Sequence, residues 1–234
     1  PSSAGRQMNN HFSLSYLDEK GGWLNQTRLK NISSDISPTG GQMARLLGLA
    51  YASKLYRTEK RLLDWKEAEN FSIKGNEVAF GTIGNASTSE GLFWECLNAA
   101  GVLQVPMLIC IWDDDYGISV PSKYQSTKGS IWPLLKGFQT EGNNHGLSLY
   151  QVKGYDYLEL LKTFKQASNN CRSKHAPTVV HVSHMTQPQG HSTSGSHERY
   201  KSKERLSYEE DIDCIKKLRV YQLFHLHRLL NEYI

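Results

Sequence analysis

The sequence predicts an α/β protein whose core is a doubly wound parallel sheet with helices on both faces. Between residues 76 and 182, short apolar runs typical of buried strands alternate with longer segments whose apolar residues recur at helical spacing. Polar turns rich in glycine, aspartate or serine follow several of these runs. In doubly wound sheets, such turns meet at the carboxyl ends of the strands, where ligands bind.

The first forty residues are polar and rich in turn formers, so they are expected to form an arm or loops. A helix is predicted at residues 41–56, where apolar side chains recur on one broad face after the start signal Ser-Pro-Thr-Gly at 37–40. Residues 62–73 are charged and aromatic, which favours a surface connection.

The centre of the chain carries the strongest pattern. A strand is predicted at residues 76–83, and its β-branched and aromatic content favours burial on both faces. Ser-Thr-Ser-Glu at 87–90 fits a capping box, which predicts that a helix begins there. The next strand is predicted at 106–112, and a run of aspartates at 113–115 follows it directly.

The second half continues the alternation of helices and strands. Its predicted elements are a short helix at 131–135 within a long connection, a strand at 147–152, a helix at 156–171 with Asp156 as N-cap, a strand at 178–182 and a helical tail at 208–234. The tail ends without a capping signal, so we expect the chain to continue or to be a fragment.

Composition excludes some classes of function. A formal net charge of +4 over 234 residues, with acids and bases interspersed, does not indicate nucleic-acid binding. The longest apolar run is too short to cross a bilayer, and the first residues do not resemble a signal peptide. The cysteines are widely separated, which favours reduced thiols and a cytoplasmic protein.

The turns after the first and second predicted strands are candidates for one binding site. A strand, a small-residue turn and a helix start together direct free N–H groups at an anion. Asn85, with either Asp113 or Asp114, would supply hard oxygen ligands that hold Mg²⁺ against a phosphate. On spacing alone, a simple glycine turn with solvated aspartates remains an equal alternative.

These segments resemble the alpha part of the thiamine-diphosphate-dependent 2-oxo acid dehydrogenases, the E1 components of the pyruvate and branched-chain complexes. That family's cofactor motif opens with Gly-Asp-Gly, runs through Ala-Ser-Glu-Gly and ends in Asn-Asn-Gly-Tyr-Ala-Ile-Ser. Here Gly-Asn-Ala-Ser-Thr-Ser-Glu-Gly at 84–91 and Asp-Asp-Asp-Tyr-Gly-Ile-Ser at 113–119 stand in those places. The resemblance implies the thiamine-diphosphate-binding fold, with thiamine diphosphate and Mg²⁺ as cofactors.

The resemblance also implies roles for individual residues. Asn85 and Asp114 would be the side-chain ligands of Mg²⁺, and the backbone carbonyl of Tyr116 would be a third ligand. The residues that would face the diphosphate are Gly84, Ala86 and Ser87.

Two further stretches match the family. Ser-Ser-Asp-Ile at 33–36 resembles its Ser-Ser-Pro-Leu loop, which would place Ser34 and Ile36 near the aminopyrimidine. Gly-His-Ser-Thr-Ser at 190–194 resembles the branched-chain members' loop, which implies that His191 touches the diphosphate and helps the acyl group pass to its carrier. As bare residues, these three are more often a turn former, a packing residue and a solvated histidine.

The sequence departs from the family pattern in several places. The family's first metal ligand is usually aspartate and its second asparagine, whereas Asn85 and Asp114 exchange these types. One carboxylate and one amide are still present, so the charge of the site is kept. Trp112 stands where some relatives have a basic residue, and Gly195 replaces an aspartate. These departures keep open a catalytically silent homologue that serves as a structural subunit.

The implied function is that of an oxidoreductase, the E1 alpha part that oxidatively decarboxylates a branched-chain 2-oxo acid and acylates the lipoyl domain of an E2 acyltransferase. A pyruvate-specific E1 is the alternative substrate assignment. In the family, the glutamate that activates the cofactor ring belongs to the beta part. We therefore expect this chain to need a beta part, separate or fused, in a dimer or heterotetramer. The expected division is an arm with a cofactor-contacting loop (1–40), a cofactor-binding domain (41–205) and a truncated helical segment (206–234).

Overall fold

A parallel sheet forms the centre of the computed structural model, which describes residues 16–28, 32–33, 38–188, 190–191 and 197–232. Its four strands are hydrogen-bonded in the order β1-β2-β6-β5, and a separate two-stranded antiparallel ribbon contains β3 and β4. The strands are β1 Ala79–Gly84, β2 Met107–Trp112, β3 Tyr116–Gly117, β4 Val120–Pro121, β5 Ser148–Lys153 and β6 Thr178–Ser183. The helices are α1 Gln42–Thr58, α2 Lys60–Leu63, α3 Gly91–Leu103, α4 Trp132–Leu135, α5 Tyr157–Lys174, α6 Lys203–Asp211 and α7 Cys214–Glu232.

Helices cover both faces of the sheet, which confirms the predicted doubly wound fold. Successive residues of a strand point to opposite faces, and β2 shows this directly. Ile109 belongs to a core cluster with α1 and α3, whereas Cys110 belongs to a second cluster with α5. Every pairing within the four-stranded sheet is parallel.

The first strand differs from its prediction. β1 lies at one edge of the sheet, and Phe80 is 53% exposed, so the strand is not buried on both faces. The reason is that α5 lies over β5, β6 and β2. Near β1, α5 contributes the edge-to-face contact of Phe164 with Phe80, at 6.4 Å between ring centroids.

The predicted capping box at 87–90 is wrong. Residues Ala86–Ser89 form a 3₁₀ turn, and α3 begins at Gly91 with no side-chain cap. Thr88 instead donates its hydroxyl to the backbone oxygen of Asn85 at 2.5 Å, so its side chain closes the turn. The residues that α3 buries are Phe93, Cys96, Leu97 and Ala100.

The helical tail is also divided differently from its prediction. Two helices, α6 and α7, replace one continuous helix from residue 208, and Ile212 lies buried between them. The Asp213 carboxylate accepts a hydrogen bond from the backbone N–H of Lys216 at 2.7 Å, which caps the new helix. The chain therefore begins a second helix at the Asp213 cap, directly after the buried Ile212, instead of continuing the first helix.

Other predicted elements are confirmed within a few residues of their ends. Asp156 caps α5 as expected, because its carboxylate accepts from the backbone N–H of Glu159 at 3.1 Å.

The predicted limits of the three domains stay a prediction. In the part of the chain that the structure describes, helices long and apolar enough to span a membrane are absent.

Candidate cofactor and metal site

Two turns follow the carboxyl ends of the neighbouring strands β1 and β2, on the same side of the sheet. Gly84, the last residue of β1, is paired with Trp112, the last residue of β2. The backbone N–H of Asn85 then donates to the carbonyl of Trp112 at 2.9 Å. Asn85 and the aspartate run at 113–115 therefore start from one point, as parallel pairing requires.

The two turns also pack against each other. A Cβ added to Gly117 would lie 2.7 Å from the Cβ of Ala86, so only glycine permits this approach. The side-chain nitrogen of Asn85 donates to the Ser122 hydroxyl at 3.1 Å. The backbone N–H of Ser122 donates to the carbonyl of Asp115 at 2.8 Å. The prediction that the glycine turn and the acidic cluster share an edge is confirmed.

Asn85 and Asp114 differ in their surroundings. Asn85 is buried, and its amide nitrogen is used by Ser122, which leaves the amide oxygen as the side chain's other polar atom. Asp114 accepts a hydrogen bond from the backbone N–H of Tyr116 at 3.1 Å. Burial raises the pKa of the Asp114 carboxyl above its ordinary value, although the Tyr116 hydrogen bond and the Lys201 charge oppose this. A cation beside Asp114 would stabilise its ionised form.

Asp113 is committed to a different partner. Its carboxylate is buried and lies 2.7 Å from Nε2 of His181, which is also buried. Its other oxygen accepts from the backbone N–H of Asp115 at 2.9 Å. On its far side, His181 contacts the Gln151 amide at 3.1 Å. Asp113 therefore organises the turn, and Asp114 is the better placed of the two candidate ligands.

Sequence reasoning missed this buried pair and also Arg205 on α6, which pairs with Glu209 and with Asp115. The signal for the pair was a histidine within the apolar strand of residues 178–182, since a buried polar side chain needs a partner. The signal for α6 was the spacing of Arg205 and Glu209, four residues apart, which places them on one helix face.

The structure says less about the other residues that the sequence singled out. His191 is exposed, and its role stays a prediction. Ser34, Ile36 and Gly195 lie outside the described residues. Trp112 is turned toward α5, where its ring lies 6.4 Å from that of Phe164.

Within the described ranges, no group of three or more His, Cys, Asp or Glu side chains is arranged to hold a metal ion. The ligand set expected here has only one such side chain, Asp114, beside an amide and a backbone carbonyl. The donors that the turns present are therefore hard oxygens, which fit Mg²⁺ supported by a phosphate.

Comparison with known proteins now identifies the family. The profile described as dehydrogenase E1 component matches residues 10–224. The chain belongs to the dehydrogenase E1 component family. This family is thiamine-diphosphate-dependent, and the four-stranded parallel sheet is consistent with it.

The curated relatives include dehydrogenase subunits named for 2-oxoisovalerate, 3-methyl-2-oxobutanoate and pyruvate. The chain is 25% identical over 222 residues to a 2-oxoisovalerate dehydrogenase subunit alpha of Bacillus subtilis (strain 168), covering 94% of this chain and 56% of that protein. It is 27% identical over 223 residues to a pyruvate dehydrogenase E1 component subunit alpha of Acholeplasma laidlawii, covering 93% and 55%. It is 29% identical over 145 residues to a 3-methyl-2-oxobutanoate dehydrogenase subunit alpha of Mycobacterium tuberculosis (strain CDC 1551 / Oshkosh), covering 62% and 36%. The E1 chain thus spans about half the length of the first two of these relatives.

Proposed function

We propose that this chain is the alpha part of a 2-oxo acid dehydrogenase E1 and anchors thiamine diphosphate through Mg²⁺. The observation that carries the proposal is the position of Asn85 and Asp114. They lie on two packed turns that leave adjacent parallel strands at one edge. Family membership supports the reaction class, and the geometry supports a cation site at that edge.

The proposed ligands are the side-chain oxygens of Asn85 and Asp114 and the backbone carbonyl of Tyr116. A neutral amide and one carboxylate leave positive charge on the ion, which a diphosphate can neutralise. We propose that the backbone at Gly84, Ala86 and Ser87 faces that diphosphate. The N–H groups that open a helical turn lack partners within the turn, so they suit an anion.

Thiamine diphosphate, when bound, supplies the carbanion chemistry that decarboxylation of a 2-oxo acid requires. The residues of this chain would bind and orient the cofactor. Asn85 and Asp114 would hold its diphosphate end through the metal ion, and the Asp113–His181 pair holds the turn that carries Asp114. Ser34 and Ile36 are proposed to contact the aminopyrimidine, and His191 to contact the diphosphate and assist acyl transfer.

The proposed activity requires partners. A beta part, separate or fused, would complete the site in a dimer or heterotetramer, and the lipoyl domain of an E2 acyltransferase would accept the acyl group. The apolar residues Ile215, Val220 and Leu223 on α7 are 68%, 66% and 62% exposed, which suits a helix covered by the beta part. A cytoplasmic location belongs to the same proposal, since the cysteines are free thiols and three of them are buried.

We propose a branched-chain 2-oxo acid as the substrate. The support is the loop Gly-His-Ser-Thr-Ser at 190–194, which resembles the branched-chain members more than the pyruvate members. Turnover of 3-methyl-2-oxobutanoate and pyruvate by the assembly of this chain with its beta part tests the assignment. A higher kcat/KM for pyruvate would contradict it.

Calorimetry of the same assembly tests the cofactor site. Thiamine diphosphate should bind in the presence of Mg²⁺ and lose affinity when the metal is chelated. Asp114→Ala and Asn85→Ala should each weaken this binding, because each removes one oxygen ligand. Asp64→Ala, at an exposed aspartate distant in sequence from the site, is the matched control and should bind as the unchanged protein does.

A catalytically silent structural subunit is the second candidate. The exchanged residue types at Asn85 and Asp114, together with Trp112 and Gly195, favour it. It predicts an assembly that forms but shows no heat of thiamine-diphosphate binding with or without Mg²⁺. That result would reject the enzymatic proposal.

A further inference from the structure

Arg205 on α6 joins that helix to the turn that carries the proposed metal ligands. Its side chain uses each of its three nitrogens. Nε donates to the Glu209 carboxylate at 2.7 Å, Nη1 donates to the Asp115 carboxylate at 2.7 Å, and Nη2 donates to the backbone oxygen of Asp114 at 2.7 Å. The planar guanidinium thereby spans the gap between helix and turn, which a single point charge would not do.

Glu209 holds Arg205 in this orientation. One of its oxygens accepts from Arg205, and the other accepts from the Lys201 ammonium at 2.8 Å. The Lys201 and Glu209 side chains are only 1% and 3% exposed. Water therefore does not compete well for these bonds, and the arrangement of charges is rigid compared with a surface ion pair.

The same cations lie against the ring of Tyr116. The guanidinium carbon of Arg205 and the ammonium of Lys201 are each 5.2 Å from the ring centroid. Tyr116 carries the backbone carbonyl proposed as a metal ligand. Its ring is therefore held from the α6 side, while the two preceding residues are held by hydrogen bonds.

The turn needs such support at Asp115. This residue has φ of +68°, in the left-handed region that favours glycine. Arg205 pairs with the Asp115 carboxylate, and the Asp115 N–H donates to Asp113. The same pairing uses one oxygen of the Asp115 carboxylate, whose side chain is 59% exposed.

We infer that Arg205 is a positioning residue for the cation site, because it holds the turn 114–116 from α6. This inference rests on the proposed function, because it concerns the same site. It goes beyond that function by assigning to α6 a part in metal affinity, although α6 supplies none of the proposed ligands.

The test measures the Mg²⁺ concentration for half-saturation at a fixed concentration of thiamine diphosphate, by calorimetry on the assembly with its beta part. Arg205→Gln should raise this concentration about tenfold or more, the effect typical of losing a group that orients metal ligands. Arg205→Lys should recover part of the affinity, because it keeps the charge but loses the planar fork. Lys216→Gln, which breaks the exposed pair with Glu210, should leave the value unchanged.

The outcomes separate this inference from the proposed function. If the unchanged protein shows no Mg²⁺-dependent binding, the proposed function is rejected and this inference with it. If the unchanged protein binds and both Arg205 variants need the same Mg²⁺ concentration as the Lys216 control, the inference is overturned and the proposed function stands. Thermal unfolding of each variant sets a measurement temperature at which all are folded. Should Arg205→Gln not fold, an unchanged Mg²⁺ requirement in Arg205→Lys would by itself overturn the inference.

Discussion

Replacing His181 by alanine should strongly destabilise the protein, because it removes one half of a buried polar pair. Nε2 of His181 lies 2.7 Å from the Asp113 carboxylate, and the two side chains are 2% and 7% exposed. His181→Ala would leave that carboxylate oxygen buried without its partner. The ring also stacks on Trp132, with 5.7 Å between centroids, and this contact would be lost as well.

The size of the effect follows from this geometry. Breaking a buried pair by removing one partner costs about 3–5 kcal/mol in the free energy of unfolding. The stacked ring adds roughly 0.5–1.5 kcal/mol. At the lower limit, a loss of about 3 kcal/mol lowers the melting temperature by roughly 6–12 °C in a chain of this size. Because domains have only about 5–15 kcal/mol of stability, the variant should be folded at low temperature and marginal when warmed.

Urea unfolding followed by circular dichroism measures this loss, and a double-mutant cycle isolates the pair. His181→Ala, Asp113→Ala and the double variant are compared with His145→Ala, at an exposed histidine that should cost less than about 0.5 kcal/mol. The double variant should lose less stability than the sum of the single variants, by about 1–3 kcal/mol. Additive losses, or a His181 variant as stable as the His145 control, would refute the reasoning.

Two further predictions concern packing and the thiols. Gly81→Ala should cost about 1–3 kcal/mol, because its Cβ would lie 2.6 Å from a methyl group of Leu46 and would displace α1. Gly48→Ala, where a Cβ meets nothing within 4 Å, is the matched control in thermal unfolding, and an equal loss in both would contradict the packing argument. Iodoacetamide should modify only the exposed Cys214 in the folded chain and all four cysteines in urea, as counted by mass spectrometry. Burial raises the pKa of the Cys96 thiol and raises the pKa of Cys110 and Cys171 to about 12, so rapid labelling of any of the three would contradict the buried core.

Local sequence signals account for most of the elements and for the shared edge of the candidate site. The Asp156 cap depends on neighbouring residues alone, and it was predicted where the structure has it. The relation of Asn85 to Asp114 follows from topology, because turns after two paired parallel strands must emerge on the same side. These inferences needed only the period of the apolar residues and the direction of the strands.

Local signals failed where a residue had a choice of partners. The sequence Ser-Thr-Ser-Glu at 87–90 fits a capping box, but Thr88 bonds to Asn85 and the helix starts later. Phe80 has the character of a buried strand residue, yet β1 is an edge strand. The order of strands in a sheet is a non-local property, so the burial of β1 could not be read from its own residues.

The sequence alone determined that this chain has a parallel α/β sheet with an oxygen-rich turn after each of two neighbouring strands, since those features depend on residues close together in the chain. Only the tertiary structure decided which aspartate pairs with His181 and which side chain of α6 bonds to the turn. Asp113 and His181 are 68 residues apart, and Arg205 and Asp115 are 90 apart. Such pairs form only after strand β6 and helix α6 have packed against the turn that follows β2, because packing brings together groups that no local pattern connects.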